Sequence, residues 1–343
     1  MDINLSWKQS HILPTPEDFI KQSNTPVSSI SLVRETRQEI SDIFSGISDK
    51  LLVVVGPCSI HDPASALEYA EKLSQLDCKN LVIVMRAYFE KPRTVLGWKG
   101  LIYDPDLDGS CDLTKGLHMS REILLGILSK GITPGTEFLD TILPQYFSDL
   151  ISWGAIGART VESQIHRQLA SGLSCPIGFK NSSSGDFTVA IDAAIMARSG
   201  HAFPGVTRKG EICLIRTNGN PTTHVILRGS YKNGPNFDKI DNVAYQSGCR
   251  DFNSKVVIDC SHGNSRKKHE NQENVVKYII EQIHGGSGKK IGGVMLESHL
   301  FEGKQQISPE LRYGVSITDS CLGFEDTVRQ LNGLDRAVEF ARK

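Results

Sequence analysis

The stretch LLVVVGPCSIHDPASALEYAEKL, residues 51–73, contains one complete structural unit. Its opening residues Leu51, Leu52, Val53, Val54 and Val55 are apolar without alternation. A strand of that kind is buried on both faces, as in a parallel sheet covered by helices. Asp62-Pro63 then sets a helix start, with a capping carboxylate followed by proline in the first turn. Ala66, Leu67, Ala70 and Leu73 recur at helical spacing and give that helix an inward face. Between strand and helix stands Cys58, a reactive side chain just past the end of the apolar run.

The same arrangement recurs along the chain. LVIVMR ends at Arg86, ITPGTEF reaches Glu137, GAIGART ends at Arg159 and CPIGFK ends at Lys180. HVILRG passes Arg228, KVVIDCSH ends at His262, and GGVMLES passes Glu297. Helical patterns fill the intervals near 115–130, 144–152, 162–172, 187–199, 239–249, 272–284 and 325–342. Strands alternating with helices mean parallel strands joined by crossover helices, and eight such runs predict a (β/α)8 TIM barrel. In that fold the active site is built at the carboxyl ends of the strands, where these polar residues fall.

Two regions lie outside the repeat. Residues 1–50 are expected to form an N-terminal extension, and residues 51–343 the catalytic barrel. In the extension, Thr15-Pro16-Glu17-Asp18 reads as a helix start. Val33, Ile40, Ile43, Phe44 and Ile47 share one helical face, and Gly46 suits a stop. The extension is expected to plug one barrel end or pack on a neighbouring subunit, and a homodimer or homotetramer is expected. GEICLIRTNGNP, within 201–223, reads as an extra β-hairpin inserted before the sixth barrel strand. The polar segment 87–114 is too long for an ordinary connection, and loops of that length are commonly functional.

Lys plus Arg number 38 against 39 Asp plus Glu, for a net charge of −1, which argues against a general nucleic-acid or membrane-surface binder. No apolar run approaches the roughly 20 residues of a membrane span. The start, MDINLSWKQS, lacks the pattern of a secretory signal, so a cytoplasmic protein is expected. The eight cysteines show no CxxC pair and are expected to be reduced and mostly buried.

Against this neutral background Arg86, Lys91, Arg93, Arg159, Lys180 and Arg228 belong to the rim or its long loop. Arginine offers a planar fork for carboxylate or phosphate, and lysine a point charge. So many like charges on one rim imply more than one anionic group in the site. Cys58, His262, Glu297 and Asp319 have the chemistry of ligands to a first-row transition ion, since thiolate and imidazole are poor partners for Mg2+ or Ca2+. Their spacing alone leaves Cys58 open to a core role, and His262 to a role as general base or hydrogen-bonded rim residue.

The chain resembles the class I 3-deoxy-D-arabino-heptulosonate 7-phosphate (DAHP) synthases in GPCSIHD (56–62), VMRAYFEKPRT (84–94), GWKGLIYDPDLDGS (97–110) and SWGAIGARTVESQIHRQLASGLSCPIGFKN (152–181). VILRG (225–229), DCSHGNS (259–265) and MLESHLFEG (295–303) continue the likeness, which covers the chain from about residue 12. Two departures stand out: SSSG follows Asn181 where the family commonly shows GTDG, and Phe324 stands where a tryptophan is frequent.

The resemblance implies condensation of phosphoenolpyruvate with erythrose 4-phosphate and water, giving the heptulosonate phosphate and inorganic phosphate. Arg86, Lys91, Arg159, Lys180 and Arg228 would hold phosphoenolpyruvate, with Glu137 in the same substrate site. Arg93 and Thr94 would grip the phosphate of erythrose 4-phosphate. Cys58, His262, Glu297 and Asp319 would ligate one divalent transition metal ion, Mn2+ first, with Fe2+, Co2+ or Zn2+ as alternatives. Lys91 and His262 are the candidate catalytic residues. The resemblance further implies feedback by an aromatic amino acid at positions matching Gln145, Ser174, Phe203 and Gly205. Glycine at the last position favours tyrosine over phenylalanine. Competing readings are a sister synthase using another phosphosugar, a Schiff-base aldolase with Lys180 as nucleophile, and a silent phosphometabolite-binding regulator.

Overall fold

The computed structural model describes residues 11–342, so the reading of the first ten residues lies outside it. Eight parallel strands close into one barrel. They are β1 (Leu51–Gly56), β2 (Leu81–Arg86), β3 (Thr133–Glu137), β4 (Trp153–Ile156), β5 (Ile177–Lys180), β8 (Thr223–Leu227), β9 (Val256–Asp259) and β10 (Ile291–Glu297). Between β5 and β8 the antiparallel pair β6 (Ala202–Val206) and β7 (Ile212–Arg216) forms the inserted hairpin, which does not join the barrel. Strand β1 closes the barrel by pairing with both β2 and β10. The barrel strands are buried along nearly their whole length, the apolar β1 and β10 as their runs require, and β3 and β8 despite their threonines and His224.

Helix α1 (Pro16–Gln22) starts where Thr15 accepts the Asp18 N–H, and α2 (Val27–Ser45) stops at Gly46, whose φ of 80° is left-handed. Ile47 departs from the expected helical face and is 78% exposed, because Gly46 turns the chain away before it. In α3 (Pro63–Ser74), Tyr69 joins Ala66, Ala70 and Leu73 in the core, whereas Leu67 is only partly buried. Of the eight cysteines, all free, Cys58, Cys175, Cys260 and Cys321 are buried, while Cys111 and Cys249 are exposed, fewer buried than expected. No helix of the described residues is long and apolar enough to cross a membrane.

Helix α2 closes the amino end of the barrel. Ile40 and Ile43 are fully buried among the inward side chains Leu52, Val54, Trp153, Ile226 and Met295. Phe44 stacks on His224 at 3.9 Å between centroids, and Trp153 Nε1 donates to His224 Nε2 at 3.1 Å. Burial pushes the His224 imidazole down to about 3. Its folded value therefore lies below its ordinary value, so only the unfolded chain takes up the proton between those limits. Stability is then full above about pH 6.5 and falls as pH drops toward 3. The His224 share of the loss from pH 7 to pH 5 should be about 2 kcal/mol. His224→Gln, which keeps an acceptor for Trp153 without titrating, should show a shallower loss in urea unfolding at the two pH values. Equal losses in both proteins would remove His224 from this role.

Candidate active site

Arg86, Glu137, Lys180 and Glu297 are the last residues of β2, β3, β5 and β10, and Arg228 follows β8 directly. Cys58, Arg159 and His262 lie in the loops just beyond β1, β4 and β9. A cavity of about 380 Å3 opens at this rim, and Arg86, Lys91, Arg93, Thr94, Glu137, Arg159, Lys180, Arg228, His262 and Asp319 all line it. Counting Lys267, seven lysines and arginines face it against the carboxylates Glu137 and Asp319. Such a surplus in a recess calls for anions.

The cations differ in how firmly they are held. Arg86 is fully buried: its Nη2 donates to Glu297 Oε1 at 3.2 Å, and its guanidinium lies 4.0 Å from the centre of the Tyr88 ring. Lys180 is buried with its ammonium 3.2 Å from Glu137 and 3.8 Å from Asp259. Burial alone would push Lys180 down, but Glu137, Tyr88 and Asp259 outweigh it and hold the ammonium above its ordinary value. The carboxyl of Glu137 is raised by burial and lowered more strongly by Lys180 and Lys91, so it stays below its ordinary value. Arg93, Arg159 and Arg228 make no ion pair among the described residues. Arg159 donates to Thr94 Oγ1 at 3.2 Å, and Arg228 lies 5.4 Å from the Tyr231 ring centre. Three of the expected anion-binding arginines are therefore free of carboxylates, and the paired cations meet acids of the site itself.

Lys91 reaches the site from the long segment between β2 and α4 (Leu113–Ser129). The base of that segment is pinned by Lys91 N–H to the Lys99 carbonyl and by Gly100, whose φ is 114°. A β-carbon on Gly100 would come within 2.0 Å of the Phe89 carbonyl. The Lys91 ammonium lies 3.1 Å from the Cys58 carbonyl oxygen and 3.2 Å from its sulfur. Burial lowers Lys91, but Cys58, Glu297 and Asp319 raise it further, so the ammonium stays protonated.

Donor atoms of Cys58, Glu297 and Asp319 lie within 4.8 Å of one another, a spacing that suits one metal ion. His262 stands outside that tight group, with Nε2 3.5 Å from Glu297 Oε1. Its Nδ1 lies 2.9 Å from Asp259 Oδ2 and 2.7 Å from Ser261 Oγ, which turns Nε2 toward the cluster. Gln272 holds the Glu297 backbone from both sides, donating to its carbonyl and accepting its N–H, each at 2.9 Å. The Cys58 thiol is pushed up to about 11, first by burial and then by Glu297. A sulfur so placed becomes a thiolate only beside a strong cation, which fits a metal-binding donor set.

Sequence reasoning missed Tyr88, Tyr231, Lys267, Asp259 and Gln272. Asp259 carried a usable signal, being an acid at the end of an apolar run. Tyr88 stands two residues beyond β2, Gln272 opens the helix Asn271–His284, and Tyr231 and Lys267 lie in loops, none with a periodicity that marks it.

The effector positions do not line this cavity. They gather about the hairpin, which precedes β8 and so lies toward the amino end of the barrel. Gln145 Nε2 donates to the Val206 carbonyl at 2.6 Å. Phe203 pairs with Ile215, and Ser174 lines a recess shared with Ile215 and Arg216. Gly205 sits within β6 opposite Cys213, so a turn role does not account for it. The hairpin touches the extension, since the Glu17 N–H donates to the Arg208 carbonyl.

A model of the DAHP synthetase I family matches residues 23–332. A Trp-sensitive phospho-2-dehydro-3-deoxyheptonate aldolase of Enterobacter agglomerans is 47% identical over 95% of each chain. A tyrosine-inhibited phospho-2-dehydro-3-deoxyheptonate aldolase of Candida albicans is 48% identical over 92% of this chain and 88% of its own. A solved phospho-2-dehydro-3-deoxyheptonate aldolase structure from Francisella tularensis superposes with a TM-score of 0.95 at 48% identity, covering 98% of this chain and all of the other.

Proposed function

The chain belongs to the DAHP synthetase I family, an enzyme family, and from that premise we propose how its rim performs the reaction. The reading is condensation of phosphoenolpyruvate with erythrose 4-phosphate. The observation that carries it is the pairing of a cation-lined cavity with a Cys58–Glu297–Asp319 donor cluster, joined by the Lys91 ammonium. Arg86, Arg159, Lys180 and Arg228 would hold phosphoenolpyruvate by its phosphate and carboxylate, with Glu137 fixing Lys180 in place. Arg93 and Thr94, on the outer loop, would take the phosphate of the second substrate. Bound by Cys58, His262, Glu297 and Asp319, a divalent transition ion would polarise the aldehyde oxygen as a Lewis acid.

The new bond joins C3 of the enol to the aldehyde carbon, water adds at C2, and phosphate leaves. Lys91 is protonated and beside the donor cluster, as an acid delivering a proton to the developing alkoxide must be. His262, with Nδ1 against Asp259, presents Nε2 as a ligand or a base. Fixed cations also orient both substrates without reorganising at the moment of reaction. The Schiff-base reading needs a depressed lysine, and the acids around Lys180 raise it instead. The direct test mixes both substrates with metal-loaded protein and follows phosphate release together with the seven-carbon product. Turnover with arabinose 5-phosphate instead would favour the sister synthase. No turnover with any phosphosugar would favour the silent regulator.

We also propose feedback by an aromatic amino acid at Gln145, Ser174, Phe203 and Gly205, with tyrosine ranked first, then phenylalanine and tryptophan. The contact of hairpin and extension supports it, as does the naming of relatives as Trp-sensitive and tyrosine-inhibited. A β-carbon at Gly205 would come within 2.3 Å of Ile215 Cδ1, so Gly205→Ser must push Ile215 across the hairpin. The variant should need about tenfold more tyrosine for half-inhibition, in line with the usual cost of overpacking, with the uninhibited rate kept. Initial rates against each amino acid check this, and unchanged tyrosine sensitivity would reject the site. The exposed Ile212 and Leu214 of β7 support a homodimer or homotetramer that buries them.

A further inference from the structure

The loop after β9 carries an unusual backbone. His262, Arg266 and Lys267 have φ of 53°, 53° and 63°, three left-handed non-glycine residues within a few positions. L-residues avoid that region because the β-carbon crowds the following carbonyl, so it persists only where neighbours hold it. They do so here. Asn264 is buried and donates to the carbonyls of Leu227 and Asp259 at 3.0 and 2.8 Å. The Gly263 N–H donates to the Arg228 carbonyl at 3.1 Å, and the Lys267 N–H returns to the His262 carbonyl at 2.8 Å. The anchored loop base thus aims the exposed Lys267 over the cavity mouth.

The Lys267 ammonium rests 4.1 Å from the centre of the Tyr231 ring, whose other cation is the Arg228 guanidinium at 5.4 Å. Neither cation makes an ion pair among the described residues. Two like charges sharing one ring repel each other unless an anion lies between them. The backbone is strained to bring a lysine to this place, where a ring face and the more distant Asp319 carboxylate meet its charge and no ion pair does.

We propose that Lys267 is a further phosphate-binding residue, which takes the phosphoryl group held by Arg228 as phosphoenolpyruvate binds and the inorganic phosphate as it leaves. This rests on the reading of the cavity as the phosphoenolpyruvate site. Tyr231 is the ammonium's resting place between turnovers.

Steady-state kinetics on the metal-loaded enzyme test it. Lys267→Gln should raise the KM for phosphoenolpyruvate about tenfold, the scale of one lost charge-assisted contact. It should weaken inhibition by inorganic phosphate to a similar degree and leave the KM for erythrose 4-phosphate in place. Lys267→Arg should recover most of both losses. Lys267→Gly removes the charge and the backbone strain together. It should melt at or above the wild-type temperature yet keep the kinetic loss, which a merely structural lysine would not do. Unchanged KM and phosphate inhibition in Lys267→Gln would overturn the proposal, as would a change confined to erythrose 4-phosphate. If the wild type does not turn over these substrates, the functional reading fails separately. Calorimetric titration of inorganic phosphate into wild type and Lys267→Gln then still decides whether Lys267 binds the anion.

Discussion

Replacing Cys58 by serine should weaken binding of a divalent transition ion by about two to three orders of magnitude and leave almost no activity at micromolar metal. The sulfur is fully buried beside Glu297 and Asp319, and burial keeps it a thiol up to about 11. A metal ion must displace that proton to gain the thiolate. Wild-type protein near pH 7.5 should therefore release about one proton for each ion bound, and Cys58→Ser should release none. The readout is independent of turnover: metal is titrated into stripped protein in two buffers of different ionisation enthalpy. Chelation should abolish wild-type activity, and adding metal back should restore it. Wild-type affinity in the serine variant, or full activity in stripped protein, would exclude the thiol as a ligand.

The sulfur also bears on the role proposed for Lys91. Its ammonium already lies 3.2 Å from Cys58, within the space where the donor atoms converge. A cation bound among those donors would repel the Lys91 ammonium, which also lines the cavity. In the proposed reading, that repulsion would favour Lys91 facing the substrate.

The barrel was legible because most of its strands, buried on both faces, appear as apolar runs with a polar residue at the exit, TPGTE of β3 being the exception. LVIVMR shows the whole rule: the strand runs from Leu81 to Arg86, and Arg86 turns into the cavity. Loop residues carry no such periodicity. Lys267 and Tyr231 lie in different loops, and the backbone and Asn264 anchors of the β9 loop bring them together. Asp259 was in view as the acid ending β9, but its role was not, since that rests on the partners Lys180 and His262 that folding brings beside it. His262 illustrates the limit of chemistry read by residue type. Its imidazole suits a ligand, and Nδ1 against Asp259 leaves Nε2 facing Glu297, yet the ring lies outside the tight three-donor group. Gly205 could pass for a turn residue in sequence because proline precedes it, whereas its neighbour across the hairpin is what requires the missing β-carbon.

Lys180→Met should lower kcat/KM for phosphoenolpyruvate by roughly a thousandfold, the cost of removing one partner from a buried charge contact. It should also destabilise the fold by about 3–5 kcal/mol, because Glu137 and Asp259 are left buried without their ammonium. The two losses have different origins and separate in the double variant Lys180→Met, Glu137→Gln. Neutralising Glu137 removes the unpaired charge, so much of the stability should return, while the substrate anion still lacks its cation and activity should not. The pH dependence follows from the same pair. In the wild type Glu137 is held below its ordinary value, so its contribution is present above the usual carboxylate range and is lost as pH falls through the folded value. The stability gap between wild type and Lys180→Met should accordingly narrow in acid. Urea unfolding across pH, alongside kinetics of the single and double variants, measures both effects. Recovery of activity together with stability in the double variant would mean that Lys180 serves the fold alone, and the cations of the rim would then act on substrate without it.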